Sequence, residues 1–123
     1  MRLKGWLPPI IWAGVILTGT SIPSSAVPSR VSEFDKILHF TIYALLALLL
    51  TRRLSEVTTR WRAAILAIVI SVAFGAVDEW HQQFVQGRFP ERADLLADTL
   101  GATAGAFTVA AIRRRSSTIP VTR

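Results

Sequence analysis

The chain has 123 residues, of which 51% are hydrophobic, and it carries a formal net charge of +6. This length allows one domain, and the apolar content exceeds that of an ordinary soluble domain. The absence of cysteine excludes a disulfide framework, a thiol nucleophile and a zinc–thiolate site.

The positions of the charged residues explain the basic balance. Most basic residues cluster at one set of predicted helix ends, at 2–4, 52–62 and 113–123, and most acidic residues lie at the opposite ends. This positive-inside distribution predicts that both termini and the loop at 51–62 are cytoplasmic. The charge therefore needs no nucleic-acid partner.

Four apolar blocks predict an all-α integral membrane bundle of four transmembrane helices, at about 6–22, 34–54, 61–85 and 94–112. A soluble bundle would show a polar outer stripe, whereas 63–77 has no polar residue except Ser71. The helices form one transmembrane domain, residues 1–115, and residues 116–123 form a disordered cytoplasmic tail.

The first block also has features of a signal peptide, because Ser24, Ser25 and Ala26 offer small residues for cleavage after residue 26. Pro8 and Pro9, however, fit the first turn of a helix. We expect a retained first transmembrane helix. Cleavage would leave three helices and keep the C-terminus inside.

Small residues recur at fourfold spacing in the fourth helix, at Ala97, Gly101 and Gly105. Such a face lets another helix approach closely. We expect these residues to serve helix packing. The sequence leaves open a homo- or hetero-oligomer that uses the Gly101/Gly105 face.

Ionisable residues of three helices are predicted to reach one level near the outer surface. His39, Asp98 and the pair Asp78–Glu79 all lie roughly 6 Å below their helix ends, at about 1.5 Å per residue. Such groups at the edge of hydrocarbon are costly and usually mark function. We expect a network in which Arg88 or Arg92 pairs with a carboxylate. The predicted binding residues are Asp35, His39, Tyr43, Asp78, Glu79, Gln82, Arg88, Asp94 and Asp98.

The residues leave three roles open for this layer. It can hold the helices and the 86–93 loop in register. It can bind the polar head of a lipid or of a lipid-linked envelope precursor, with Arg88 facing phosphate. It can also be catalytic, with Glu79 or Asp78 as general base and His39 or His81 as proton partner. No His-Glu-x-x-His motif is present, so we expect no metal and no other cofactor.

Three separated motifs carry a resemblance to a known family. They are Asp35-Lys36-Ile37-Leu38-His39-Phe40, Asp78-Glu79-Trp80-His81-Gln82 and Asp94-Leu95-Leu96-Ala97-Asp98-Thr99-Leu100-Gly101. With them the chain resembles the VanZ-like family of small bacterial membrane proteins. Two positions depart from the family pattern: Gln86 stands where Pro is common, and Asp98 stands where Asn is frequent. Asp98 thus adds a charge that needs a partner.

The resemblance implies a multi-pass protein of the bacterial cytoplasmic (inner) membrane that acts in the cell envelope. The family takes its name from a member associated with low-level resistance to the glycopeptide antibiotic teicoplanin, and no agreed catalytic activity comes with that name. We expect a binder or modulator of membrane lipids or lipid-linked envelope precursors. One alternative is an intramembrane enzyme acting on a lipid-linked phosphate or ester. Another is a structural subunit of a membrane complex.

Overall fold

In a computed structural model of the chain, residues 3–27 and 34–116 are described, and they form four α-helices and no strand. The predicted all-α fold is confirmed. The helices are α1 (Leu7–Thr20), α2 (Asp35–Leu54), α3 (Arg60–Gln82) and α4 (Arg92–Ser116), and short 3-10 helices cover Leu3–Trp6 and Ser24–Ala26. Ser116 ends α4, and the rest of the predicted tail lies outside the described residues.

Three of the described helices are long and apolar enough to cross a membrane, Asp35–Leu54, Arg60–Gln82 and Arg92–Ile112. They expose large apolar side chains on their outer faces, such as Ile37 (63% exposed) and Val69 (59%). The sequence predicted a fourth span at about 6–22. Helix α1 has 14 residues, which is about 21 Å of helix against a hydrocarbon core of about 30 Å. It is therefore not among the three.

Helices α2 and α4 pack in backbone contact. A Cβ atom on Gly101 would lie 2.1 Å from the carbonyl oxygen of Phe40, and one on Gly105 would lie 2.0 Å from that of Ala44. No side chain fits at these distances, so the two glycines set the separation of the helices. The resulting close approach brings the first turns of α2 and α4 side by side.

The Gly101/Gly105 face is therefore covered by α2 of the same chain. Ala97, one turn earlier, is half-buried. The sequence left open that this face pairs with another protein, but such pairing would need α2 to move away from it.

Helix α1 and Trp6, the residue before it, contact α2 and α3 at three positions along the bundle. At one end, the guanidinium of Arg53 lies 5.5 Å from the ring centre of Trp6. In the middle, the indole Nε1 of Trp12 donates a hydrogen bond of 2.9 Å to the carbonyl oxygen of Ile42. At the other end, the hydroxyl of Thr20 donates a hydrogen bond of 2.6 Å to Asp78 Oδ1.

These contacts define the two ends of the bundle. We call the end that holds Asp35, Asp78 and Asp94 the carboxylate end. The end that holds Arg53 and Arg60 is the arginine end. Helix α1 runs from the arginine end to the carboxylate end, because Trp6 meets Arg53 and Thr20 meets Asp78.

Candidate functional site

His39 lies at the centre of the carboxylate end and is only 3% exposed. Its Nδ1 is 2.7 Å from Asp98 Oδ1, a hydrogen bond between α2 and α4. An ionised carboxylate only accepts hydrogen bonds, so this contact assigns the Nδ1 hydrogen to His39. The imidazole ring lies parallel to that of Tyr43, with ring centres 6.4 Å apart. The extra charge at Asp98 thus has an imidazole as its partner.

The other ring nitrogen of His39 points toward two further carboxylates. Nε2 is 3.7 Å from Asp35 Oδ1 and 3.9 Å from Asp94 Oδ2. Both distances are too long for hydrogen bonds. Three donor atoms from α2 and α4 therefore face one another without a direct bond.

Lys36 is the cation that joins these carboxylates. Its ammonium group bonds to Asp94 Oδ1 and to Glu91 Oε2, and it lies 3.6 Å from Asp35 Oδ2. Lys36 lies three residues before His39, and residues at this spacing are neighbours on a helix surface. The spacing between Lys36 and His39 is the sequence feature that could have identified Lys36 as the partner of these carboxylates.

The sequence predicted that Arg88 or Arg92 would fill this role, and that prediction is wrong. Within residues 3–27 and 34–116, neither arginine forms an ion pair with a carboxylate. Arg88 instead donates from Nε to the carbonyl oxygen of Ile22, at 2.8 Å, because it follows the end of α3 and faces the segment after α1.

Asp78 is buried in a separate set of hydrogen bonds that joins three helices. Thr20 on α1 donates to Oδ1 at 2.6 Å, and Oδ2 lies 3.4 Å from the Tyr43 hydroxyl and 3.5 Å from Gln82 Nε2. Thr20 was not among the residues predicted for this site. A hydroxyl near the end of an apolar helix was the only signal for it, and its partner is distant in sequence.

Glu79 and Asp98 each keep one buried carboxylate oxygen without a partner. The backbone N–H of Glu91 donates to Glu79 Oε2 at 3.0 Å. In the described part of the chain, Glu79 Oε1 and Asp98 Oδ2 accept no hydrogen bond. Buried polar atoms are rarely left in this state, and those that are deserve a functional explanation.

Two groups of side chains at this end have donor atoms close enough to hold a metal ion. One group is Asp35, His39 and Asp94, and the other is His39, Glu79 and Asp98; within each, the donor atoms lie within 4.8 Å of one another. Asp35 and His39 are four residues apart on α2, whereas Asp94 comes from α4, and the second group takes one residue from each of α2, α3 and α4. No single sequence motif therefore contains either complete group.

A cavity of about 520 Å³ opens beside His39. Both apolar and polar side chains line it. The apolar ones include Trp12, Val15, Ile16, Leu38 and Ile42, and the polar ones include Asp35, His39, Gln82, Arg88, Glu91 and Asp94. Of the predicted binding residues, Asp35, His39, Gln82, Arg88 and Asp94 thus line the cavity.

The other predicted residues lie behind the cavity wall. Tyr43 and Asp78 belong to the hydrogen bonds around Asp78, while Glu79 and Asp98 surround His39. His81, the second candidate proton partner, is partly buried and is not among the residues that line the cavity.

A helical bundle with three helices able to cross a membrane, and with a buried polar cluster at one end, defines an integral membrane protein. The chain belongs to the VanZ/LLP1 family, whose family model matches residues 7–113. The resemblance drawn from the three motifs is confirmed. The match covers all of α1 and the ionisable residues of the carboxylate end from Asp35 to Asp98. Neither the curated proteins nor the solved structures include a match to this chain.

Proposed function

We propose that this VanZ-like membrane protein binds, in the cavity beside His39, the polar head of a membrane lipid or of a lipid-linked cell-envelope precursor. The observation that carries the proposal is that both apolar and polar side chains line the cavity. An amphiphile matches such a cavity, because its chain can lie along Ile16 and Ile42 while its head reaches Arg88 and His39.

Arg88 is the residue best suited to an anionic head group. Its Nε bonds to the Ile22 carbonyl, which holds the side chain in the cavity wall and leaves the terminal amino groups as donors. A guanidinium binds phosphate oxygens with two parallel hydrogen bonds. Asp35 and Glu91, which also line the cavity, would accept hydrogen bonds from amine or hydroxyl groups of the head.

We further propose four membrane spans with both termini cytoplasmic, in the bacterial cytoplasmic membrane, so that the carboxylate end faces outward. The distribution of basic residues supports this orientation. The 3-10 helix Leu3–Trp6 adds about 8 Å to the roughly 21 Å of α1, and the sum approaches the hydrocarbon thickness. Helix α1 also extends from the arginine end to the carboxylate end.

The test is the lipid content of the full-length protein extracted with its surrounding membrane in polymer nanodiscs. Mass spectrometry would quantify phospholipids and lipid-linked precursors for wild type, Arg88→Ala and Arg92→Ala. Arg92 is the matched control, because it is exposed and does not line the cavity. We expect one lipid class to be enriched over the bulk membrane in wild type and Arg92→Ala, and to lose its enrichment at least fivefold in Arg88→Ala.

Bulk lipid composition in all three samples would contradict the proposal. Equal enrichment in Arg88→Ala and Arg92→Ala would contradict the role of Arg88. In cells, the matching phenotype is altered susceptibility to teicoplanin, which the resemblance to VanZ-like proteins suggests measuring in the same variants.

A second candidate function is an intramembrane enzyme that acts on a lipid-linked phosphate or ester. The specific observation in its favour is the orientation of His39, whose Nδ1 is held by Asp98 while the ring lines the cavity. This is the arrangement of an oriented general base. Of the four residues considered for catalysis, Glu79, Asp78, His39 and His81, only His39 lines the cavity.

A measurement of substrate turnover distinguishes the lipid-binding function from the enzyme. In the enzyme case, wild type would release phosphate or alcohol from a fluorescent lipid-linked substrate, and His39→Asn would lose turnover while keeping the enriched lipid. Lipid enrichment without turnover in wild type would leave the binding function and contradict the enzyme.

A further inference from the structure

We propose that His39 Nε2, Asp35 and Asp94 bind a divalent metal ion at the polar end of the cavity. The proposal departs from the prediction made from the sequence, which was that no metal is bound. It does not depend on the lipid ligand proposed above, because all three donors belong to the protein.

The donor atoms already surround a common point. Nε2 of His39 is 3.7 Å from Asp35 Oδ1 and 3.9 Å from Asp94 Oδ2. Ligands bound at about 2.1 Å to a tetrahedral ion lie about 3.4 Å apart, so small side-chain movements would complete the site. These distances are too long for direct hydrogen bonds, and they are compatible with an ion bound between the donors.

The ammonium group of Lys36 contacts other oxygens than the two proposed as metal ligands. It contacts Oδ1 of Asp94 and Oδ2 of Asp35, whereas the oxygens that face His39 are the other two, Oδ2 of Asp94 and Oδ1 of Asp35. Each carboxylate therefore has one oxygen near the ammonium group and one directed toward the imidazole.

The orientation of His39 is an independent observation that indicates a metal ligand. A histidine that binds a metal through one nitrogen usually donates its other N–H to a carboxylate or carbonyl oxygen, which fixes the ring. Here Nδ1 is 2.7 Å from the fully buried Asp98, and Nε2 faces the cavity residues Asp35 and Asp94. The ring is thus held in the orientation that the proposed site requires.

The unpartnered oxygens of Glu79 and Asp98 are a second independent observation. Glu79 is 8% exposed and Asp98 is 0% exposed, and each has a donor atom within 4.8 Å of a ring nitrogen of His39. Nearby positive charge stabilises buried carboxylates that lack enough hydrogen bonds. A divalent ion on the opposite nitrogen of the same ring would supply it.

The balance of charged residues at the carboxylate end also favours a bound cation. Among the described residues, Lys36 is the only lysine or arginine at this end that forms ion pairs with carboxylates. The acidic residues at this end outnumber it; they are Asp35, Asp78, Glu79, Glu91, Asp94 and Asp98.

The donor types select the class of ion. Two carboxylate oxygens and one imidazole nitrogen suit first-row divalent ions such as Mn²⁺, Fe²⁺ and Zn²⁺, and they do not suit the soft Cu⁺ ion. Three protein donors also leave coordination positions open toward the cavity. Water or a polar group of a bound molecule would fill them.

The test uses full-length protein in an uncharged detergent, stripped with a chelator and titrated with MnCl₂ alone. Electron paramagnetic resonance of free Mn²⁺ counts the bound ions, and electron spin-echo modulation reveals a coordinated ¹⁴N nucleus. We expect one Mn²⁺ per chain with ¹⁴N modulation. His39→Gln should lose the modulation and weaken binding at least tenfold.

Glu91→Gln is the matched control. Glu91 also bonds to Lys36 and lines the cavity, but it is not one of the three ligands. It should keep both the ¹⁴N modulation and an affinity within about threefold of wild type. Absence of stoichiometric Mn²⁺ binding in wild type, or ¹⁴N modulation that persists in His39→Gln, would overturn the proposal.

A second variant covers the case in which His39→Gln does not fold. Asp35 is only half-buried and begins α2, so Asp35→Asn is expected to fold. It should weaken Mn²⁺ binding at least fivefold and retain the ¹⁴N modulation. Unchanged affinity in this variant would also overturn the proposal, whether or not any lipid is enriched.

Discussion

The two ends of the bundle treat buried charge differently. At the arginine end, Arg53 is 8% exposed, and its guanidinium bonds to Glu56, three residues further along the chain, and lies 5.5 Å from the ring of Trp6. At the carboxylate end, acidic groups from three helices surround His39, and two of their buried oxygens have no hydrogen-bond partner within residues 3–27 and 34–116. At the arginine end, Glu56 in the next turn balances the charge of Arg53, and Arg53 also contacts Trp6 just before α1. At the carboxylate end, the contacts within the described residues leave part of the acidic charge unbalanced.

This difference distinguishes a local ion pair from a polar cluster that several helices build together. An ion pair between residues three apart forms with the local helix and requires no precise tertiary arrangement. The carboxylate end, by contrast, depends on α2, α3 and α4 together, and ionisable groups are retained at such depth mainly for function. Changes to the two ends should therefore have different consequences.

The largest effect is expected from Gly101→Leu. Its side chain would collide with the Phe40 carbonyl, since even a Cβ atom would lie 2.1 Å away, so α2 and α4 could not pack. We expect little or no folded protein, measured as the monodisperse fraction after size-exclusion chromatography. Gly14→Leu is the control, because nothing lies within 4 Å of a Cβ at that position. Equal yields of the two variants would contradict the packing described.

The next effect is expected from Asp98→Ala, which removes the hydrogen-bond partner of His39 Nδ1. Loss of one member of a buried pair costs about 3–5 kcal/mol. Asp98→Asn should cost much less, because the amide oxygen can still accept the hydrogen bond. Reversible unfolding in mixed micelles would measure the free energies. Equal losses for Ala and Asn would show that the hydrogen bond contributes little.

Thr20→Val tests the attachment of α1 at the carboxylate end. It removes the 2.6 Å hydrogen bond to Asp78 and leaves that carboxylate only contacts of 3.4 and 3.5 Å. The expected cost is about 1–3 kcal/mol of unfolding free energy. Thr18→Val is the control, since the exposed Thr18 hydroxyl bonds only to Gly14 O within α1, and it should change stability by less than about 0.5 kcal/mol. A Thr20 variant as stable as the Thr18 variant would contradict this attachment.

The smallest effect concerns Lys36, whose ammonium group shares Asp35 and Asp94 with the proposed metal ion. Removing a positive charge next to a bound cation favours the cation, so Lys36→Met should raise Mn²⁺ affinity on the order of tenfold, or about 1.4 kcal/mol. Arg92 is also at the carboxylate end, but it is exposed and begins α4. Arg92→Met should change the Mn²⁺ affinity by less than about twofold. A weaker affinity in Lys36→Met would show that the lysine supports the site.

Much of the fold follows from local sequence features. The apolar blocks predicted the helices, and the shared depth of His39 and Asp98 follows from the rise of a helix. The fourfold spacing of Gly101 and Gly105 indicated close packing, but the helix that fills it could not be identified, because spacing within one helix carries no information about its neighbour.

The rest of the site depends on pairing between distant residues. Whether Lys36 or Arg88 would bind Asp94 depended on how the helices are arranged around one another, and both cations were available near that end. The bond between Thr20 and Asp78 spans residues of α1 and α3, and no pattern within either helix indicates it. The metal ligands were missed for the same reason, since their donors come from α2 and α4.

The central claim is that polar side chains of separate helices meet around a buried His39. The chain has two histidines, so His81→Gln leaves His39 as the only one, and ¹⁵N-histidine labelling then reports on it alone. Proton–nitrogen NMR of this variant in nanodiscs should show a slowly exchanging, downfield Nδ1–H resonance that disappears in Asp98→Ala. A rapidly exchanging imidazole that is insensitive to Asp98→Ala would contradict the account.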